Sequence, residues 1–255
     1  LESHLQHVQR LESLGVFAGG IAHDFNNLLA GIMGYSSPLR MDLPEDGETA
    51  EVLEQIELSA RRASELAEQI LAYSGRSRLN LAPIDLSDMV RELGTLIDPA
   101  ISKKAAISYD FPPDMPSIMA DSSLLRQVLM NLIINASDSL QGTAGSISVR
   151  TGTAWNTPGL FDNMLSQNSL DAEQYQFVEV EDSGCGMGDE TIERIFDPFF
   201  TTKETGRGLG LAATLGIVWQ HKGAVEVQST VGQGTTFRVW LPLDVTATVV
   251  EEASV

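Results

Sequence analysis

Basic residues are scarce in this chain of 255 residues: 16 Lys and Arg stand against 35 Asp and Glu, a formal net charge of −19. That deficit excludes bulk electrostatic binding to nucleic acid or to an anionic membrane surface. Cysteine is nearly absent. Cys185 alone permits no internal disulfide and no thiolate metal cluster, a usage that suits a reducing compartment. Apolar runs fall far short of the ~20 residues that cross a bilayer, and the polar helical pattern from Leu1 is unlike a signal peptide. Neither G-x-x-x-x-G-K-[ST] nor G-x-G-x-x-G occurs. What is present is 43% hydrophobic residues, enough for a buried core in one large domain or two modest ones. The expectation is a soluble, acidic, cytoplasmic segment that touches neither nucleic acid nor membrane.

Residues 1–76 read as a helical hairpin. Leu14, Ala18, Ile21, Phe25, Leu28, Ile32, Tyr35 and Leu39 step by alternating fours and threes, a heptad seam. Leu1, Leu5, Val8 and Leu11 keep helical spacing upstream, so the first helix is expected to begin before Leu1. Asp42 to Gly47 forms a turn, and Leu53, Ile56, Ala60, Ala63, Ala67 and Ile70 continue the apolar stripe on a second helix. Two such faces are buried economically by pairing two chains into a four-helix bundle, which predicts a homodimer. After a linker at 74–78 the pattern changes. Helices are predicted over 85–98, 121–140 and near 208–221, and strands over 106–111, 146–151, 175–181, 224–229 and 235–241. Elements that do not strictly alternate indicate an α+β sandwich over 77–245. Residues 152–174 read as a long insertion between two strands, and 246–255 as a C-terminal tail.

His23 falls roughly 170° from the mean direction of the heptad seam, facing water or a second domain. Asn27 is one turn on, and Asp24 lies between that face and the seam. A carboxylate beside an imidazole can orient its Nδ1–H and leave the Nε2 lone pair as a nucleophile at neutral pH. The plainer alternative is an ordinary exposed helical histidine, the reading given to His4, His7 and His221. Gly15, Gly19, Gly20, Gly31, Gly34 and Pro38 burden the same helix. They indicate bending or close approach near His23, or close packing through small residues.

Four segments point to a nucleotide. Asn131 and Asn135 lie one turn apart beside the apolar face of helix 121–140, where an amide oxygen can ligate Mg²⁺; two solvated amides are the alternative. Asp182-Ser-Gly184-Cys-Gly186 ends an apolar strand, so a carboxylate could accept from an exocyclic amine while the glycines admit a flat base; otherwise it is a Gly-rich turn. Phe196, Phe199 and Phe200 precede Lys203 and could close over a ligand or anchor a loop. Gly206-Arg207-Gly208-Leu209-Gly210 opens a helix, where free N–H groups meet phosphate, and Lys203 and Arg207 bring cations to it.

Gly19-Gly-Ile-Ala-His-Asp-Phe-Asn-Asn-Leu-Leu29 resembles the phosphoacceptor segment of sensor histidine kinases, in the variant common among hybrid kinases. The order Asn135, D-x-G-x-G at 182–186, the Phe-rich segment and G-x-G-x-G at 206–210 resembles the GHKL (Bergerat-type) ATP-binding domain. That domain is shared by histidine kinases, type II topoisomerases, Hsp90-type chaperones and MutL-type repair ATPases. Gly232 to Pro242 is similar to the closing strand of histidine kinases.

The resemblance implies that His23 is phosphorylated from ATP, that Asp24 orients and activates it, and that Asn27 positions water when the protein acts as a phosphatase on its partner. It further implies Asn135 on Mg²⁺, Asp182 on adenine, Asn131, Gly184 and Gly186 around the nucleotide, and 197–210 as a mobile lid. The implied partner is the aspartate of a response-regulator receiver domain, separate or fused. Hydrolysing members carry a general-base Glu one turn before the Mg²⁺ Asn; here that position is Asn131. Asp138 departs from the basic residue that some kinases show there. Two rival readings are a dimeric signalling scaffold with a degenerate kinase domain and a GHKL-type ATPase that uses the hairpin only to dimerise.

Overall fold

The computed structural model describes residues 28–39, 47, 49, 51–60, 63–64, 79–97, 101, 104–161, 164–167, 169–203 and 206–243. His23, Asp24 and Asn27, the turn at 42–46, the linker at 74–78 and the tail 246–255 lie outside these residues. The chain divides into two compact units, Leu1–Ser77 and Arg78–Val255.

In the first unit, 28–39 and 51–60 are helical. Leu29 and Ala60 are buried, whereas Leu28, Ile32, Tyr35 and Leu39, the heptad positions, are exposed, Tyr35 to 79%. Leu29, Ile32, Val52, Ile56 and Ala60 line an open groove of about 860 Å³. The apolar seam read from the sequence thus has no cover within this unit among the described residues.

The second unit is an α+β sandwich. Its elements are β1 (Ala82–Ile84), α1 (Leu86–Ile97), β2 (Ala105–Asp110), β3 (Ile118–Ala120), α2 (Ser122–Ser139), β4 (Gly145–Trp155), β5 (Gln174–Asp182), α3 (Asp189–Ile192), α4 (Gly210–Gln220), β6 (Ala224–Thr230) and β7 (Gly234–Pro242). Five strands form one sheet in the order β2-β4-β5-β7-β6, parallel only between β2 and β4; β1 and β3 make a separate antiparallel pair. Helices α2 and α4 pack on each other and on the sheet, and α1 packs on α2.

Local chemistry explains the helices. Asp85 accepts from the Asp88 amide at 3.0 Å and starts α1, whose Leu86, Met89, Val90, Leu93 and Ile97 are buried at helical spacing. Asp121 caps α2 by accepting from the Ser123 and Leu124 amides, and Leu125, Val128, Leu129, Leu132, Ile133 and Ala136 form its buried face.

Several expectations need correction. Strand 146–151 runs on to Trp155, so the insertion 152–174 shrinks to the loop 156–173. Gly152 lies inside the strand opposite Phe177, and any Cβ there would strike that ring. The loop is packed: Met164, with Leu160 and Phe161, covers Tyr175 and Trp240 on the sheet face opposite the helices, and Leu165 pairs with Val225. Beside it Glu179, 1% exposed, is held by Arg150 and Arg238, and Arg238 lies over the Phe177 and Trp240 rings. The strands β1 and β3 and the single turn α3 were not expected; at three or four residues they carry no readable period.

His221 is another correction. It is buried at the end of α4, where Nε2 accepts from the Asp121 amide at 3.0 Å and Nδ1–H donates to the Ile217 carbonyl at 2.8 Å. The ring is therefore the neutral Nδ1–H tautomer, joining the last turn of α4 to the cap of α2. Burial pulls its pKa below the ordinary histidine value, against the Ile217 carbonyl and the Asp121 carboxylate, which pull it up. At Asp121 burial pushes the carboxyl up, but hydrogen bonds from the Ser123 hydroxyl and the Asn80, Leu124 and Ser123 amides outweigh it and leave the value lowered.

Candidate nucleotide-binding site

Helix α2 supplies the floor of the site. From Asn131 to Ser139 it advances about 12 Å at 1.5 Å per residue, and each turn meets a different partner.

At the C-terminal end of α2, Ser139 Oγ donates to Asp182 Oδ1 at 2.7 Å, and the Gly184 amide donates to the same oxygen at 2.8 Å. Asp182 ends β5 pointing toward the helices, 6% exposed. Burial pushes its carboxyl above the usual carboxylate range, against the hydrogen bonds from Ser139, Gly184 and Thr235, which lower it. The Ser139 and Gly184 bonds both end on Oδ1, and an ionised carboxylate has about four lone-pair sites, so the group keeps the capacity to accept from a ligand amine. Gly184 lies so close to Ser139 that a Cβ would collide with it, and Gly186 follows against the Thr230 carbonyl. The D-x-G-x-G turn thus presses backbone onto the end of α2. Ser139 was missed in the sequence, although it sits one turn after Asn135 and its hydroxyl donates to Asp182.

One turn back, Asn135 Oδ1 accepts from Lys203 Nζ at 2.7 Å, and the same ammonium donates to Asp138 Oδ2 at 2.8 Å. An amide oxygen that already faces a cation is a suitable donor for a hard dication that keeps most of its waters. The residues present fit Mg²⁺ at Asn135.

At Asn131, Nδ2 donates to the Gly210 carbonyl at 3.1 Å. This side chain joins α2 to the start of α4, so the amide is at least partly committed to holding two helices together. No carboxylate replaces it there to activate water.

The lid segment leads into α4. Gly208 adopts φ +66°, and a Cβ there would strike the Phe199 and Phe200 backbone; the Phe199 amide donates to the Gly208 carbonyl at 2.8 Å. Phe196 is buried as an anchor, Phe199 is exposed, and the Arg194 guanidinium lies 4.4 Å from the Phe200 ring centre. Gly206 closes a turn onto the Lys203 carbonyl, and Leu209 precedes α4 without any side-chain cap. The first N–H groups of that helix are therefore open to an anion. Arg207 is exposed and makes no ion pair among the described residues.

The structure therefore brings Asn135, Lys203, Asp182, Gly184, Gly186 and the 206–210 turn around one helix. His23, Asp24 and Asn27 lie outside the described residues. No group of three or more His, Cys, Asp or Glu that could hold a metal occurs among the described residues. No helix among them is long and apolar enough to cross a membrane.

Comparison with known proteins identifies both parts. The family described as "His Kinase A (phospho-acceptor) domain" matches residues 13–76. The family described as "Histidine kinase-, DNA gyrase B-, and HSP90-like ATPase" matches residues 120–245. The chain is 36% identical over 244 residues to the sensor kinase CckA of Brucella abortus, covering 95% of this chain and 25% of that protein. It is 31% identical over 247 residues to the sensor histidine kinase ZraS of Escherichia coli K12, covering 96% of this chain and 49% of that one. It thus spans a quarter to a half of these relatives. Among solved structures it is similar to full-length ShkA in complex with AMPPNP, with a TM-score of 0.65 and 25% identity, covering 88% of this chain and 45% of that one. It is also similar to the histidine kinase ThkA in complex with the response regulator TrrA, with a TM-score of 0.54 and 25% identity, covering 95% of this chain and 66% of that one. The chain belongs to the histidine kinase family and carries its phosphoacceptor and ATP-binding parts.

Proposed function

We propose that this chain transfers the γ-phosphoryl group of ATP to His23 and then to an aspartate of a response-regulator receiver domain. The observation that carries this reading is the alignment along α2 of an outward amide oxygen at Asn135 and a buried carboxylate at Asp182, beside the uncapped start of α4. In this reading Asp182 Oδ2 accepts from the adenine amine, and the amides of the first turn of α4, with Lys203 and Arg207, hold the phosphates. Asn135 holds Mg²⁺, which when bound offsets phosphate charge during transfer.

Asp24 keeps the Nδ1 proton of His23, so the Nε2 lone pair attacks the γ-phosphorus. The N–P bond forms as the bond to the ADP oxygen breaks, and positioning and charge stabilisation carry the rate. Transfer onward breaks the N–P bond, forms an acyl phosphate on the regulator and returns a neutral imidazole. Asn27 positions water for the reverse task, removal of the phosphoryl group from the regulator.

Residues 1–76 pair with a second copy. The exposed seam of Leu28, Ile32, Tyr35 and Leu39 supports this, since a four-helix bundle removes those side chains from water. Residues 77–245 bind nucleotide, and dependence on ATP places the segment in the cytoplasm. The partner is read from ThkA, whose complex with a response regulator shares the fold.

The test is incubation of the purified chain with γ-labelled ATP and Mg²⁺, beside His23→Ala and Asn135→Ala. Acid-labile, base-stable label absent from both variants is the expected result. Label that survives in His23→Ala overturns the acceptor, and steady ADP release without label favours an ATPase.

A further inference from the structure

A carboxylate among phosphate-binding groups repels the ligand that the site is built to hold, so Asp138 needs a reason to be there. Folding stability does not supply one. Asp138 and Lys203 are 49% and 39% exposed, and half-solvated pairs of this kind contribute little. Yet in a chain with net charge −19, one of the two cations of the lid is held by this carboxylate.

The geometry points to Asp138 as the positioning residue for Lys203. The ammonium bridges two acceptors on one face of α2, Asn135 Oδ1 at 2.7 Å and Asp138 Oδ2 at 2.8 Å. These contacts have different fates when nucleotide and metal arrive, a statement that rests on the function proposed above. An ammonium and a dication repel each other at one oxygen, so Lys203 gives up Asn135. The contact with Asp138 lies three residues further along α2 and can persist. The carboxylate therefore keeps the ammonium within a side chain's length of Asn135 and spares Lys203 most of the ordering entropy of reaching the transferring phosphate. Lys203 in turn neutralises the charge that would make Asp138 a liability.

The arrangement predicts a separation of binding from transfer. Asp138→Asn removes a negative charge from the pocket, so affinity for AMPPNP–Mg²⁺, read by calorimetry, becomes no weaker. At saturating ATP the rate of phosphohistidine formation falls about two- to fivefold, the range for a half-exposed charge pair. In the nucleotide-free chain, amide hydrogen exchange around 199–203 rises by a similar factor, with the strands of the sheet unchanged. Asp138→Glu recovers most of both effects. In a Lys203→Met background, Asp138→Asn changes neither the rate nor the exchange, because the partner is gone.

Unchanged lid exchange in Asp138→Asn overturns the proposal. So does an undiminished rate with tighter binding, which would make the pair an inhibitory latch, and so does an equal effect of Asp138→Asn with and without Lys203. If the wild-type chain forms no phosphohistidine, the kinase reading fails separately. The exchange and calorimetry on the full chain then still decide whether Asp138 holds Lys203.

Discussion

Asp182→Asn is the most informative single change in the pocket, because it alters one atom's chemistry and almost nothing of its shape. Oδ1 is retained as an acceptor for the Ser139 hydroxyl and the Gly184 amide, at 2.7 and 2.8 Å in the parent. Oδ2 becomes an NH₂ group. An exocyclic adenine amine would then meet a donor where it needs an acceptor. A hydrogen bond to a charged group contributes about 1.5–3 kcal/mol, and at 6% exposure solvent offers little screening. The expected loss is therefore about 10- to 150-fold in the dissociation constant for ATP, measured by calorimetry with Mg²⁺ present. Folding should move the other way. Burial raises the Asp182 pKa, so between the ordinary carboxylate value and that raised value the folded chain binds the extra proton and stability falls as pH rises. The neutral amide removes that penalty, so the urea midpoint of Asp182→Asn at pH 7 should equal or exceed the parent's. Unchanged ATP affinity in a folded Asp182→Asn chain would refute the assignment of Asp182 to the base.

Three further perturbations test the frame around the pocket. His221 has a lowered pKa, so the unfolded chain takes up the proton first; stability should fall as pH drops below about 6.5, and urea midpoints at pH 8 and 5.5 should converge in His221→Asn. Gly208→Ala puts a Cβ at φ +66° against the Phe199 and Phe200 backbone; at least about 1–2 kcal/mol of backbone strain should weaken nucleotide binding and raise hydrogen exchange in the lid, with exchange in β5 and β7 unchanged. Arg238→Ala removes one of the two guanidinium groups that hold the buried Glu179, together with its packing on Phe177 and Trp240; a loss of about 3 kcal/mol, or about 6–12 °C in Tm, is expected by calorimetric scanning, and a shift under about 2 °C would refute it.

The reach of the sequence depended on whether a signal was periodic, chemical or relational. Long strands and the helices α1, α2 and α4 declared themselves through apolar spacing, and the pocket through Asn135, Asp182 and the 206–210 glycines in order. The strands β1 and β3 are too short for a period to exist. The continuation of β4 through Gly152 to Trp155 was hidden because the contact that calls for a glycine there is with Phe177 across the sheet, which leaves no trace in one dimension. His221 misled for a similar reason: its partner Asp121 lies 100 residues away, and no local pattern announces a buried imidazole that accepts from a helix cap. The lid contact of Lys203 with Asp138 was likewise hidden. Asp138 was visible as a departure from a basic residue, but its compensation sits 65 positions downstream.

Asn131 shows how one residue can set both the architecture and the chemistry. Its amide nitrogen donates to the Gly210 carbonyl, which ties the middle of α2 to the beginning of α4. A carboxylate at that position could not make this bond. It would set negative charge against a carbonyl oxygen and loosen the helix whose first amides have no side-chain cap. The amide therefore does two things at once. It withholds the general base that a water nucleophile needs, and it holds the uncapped start of α4 against α2. On the proposed function, where no base at 131 activates water, loss of the γ-phosphoryl group depends on a nucleophile brought from outside the pocket. In the function proposed above that nucleophile is His23, followed in the sequence by Asp24. On that proposal the absence of a carboxylate at 131 and the presence of one at 24 are two halves of one argument: the phosphoryl group is retained for transfer because the carboxylate is next to the acceptor in the sequence and missing from position 131 of α2.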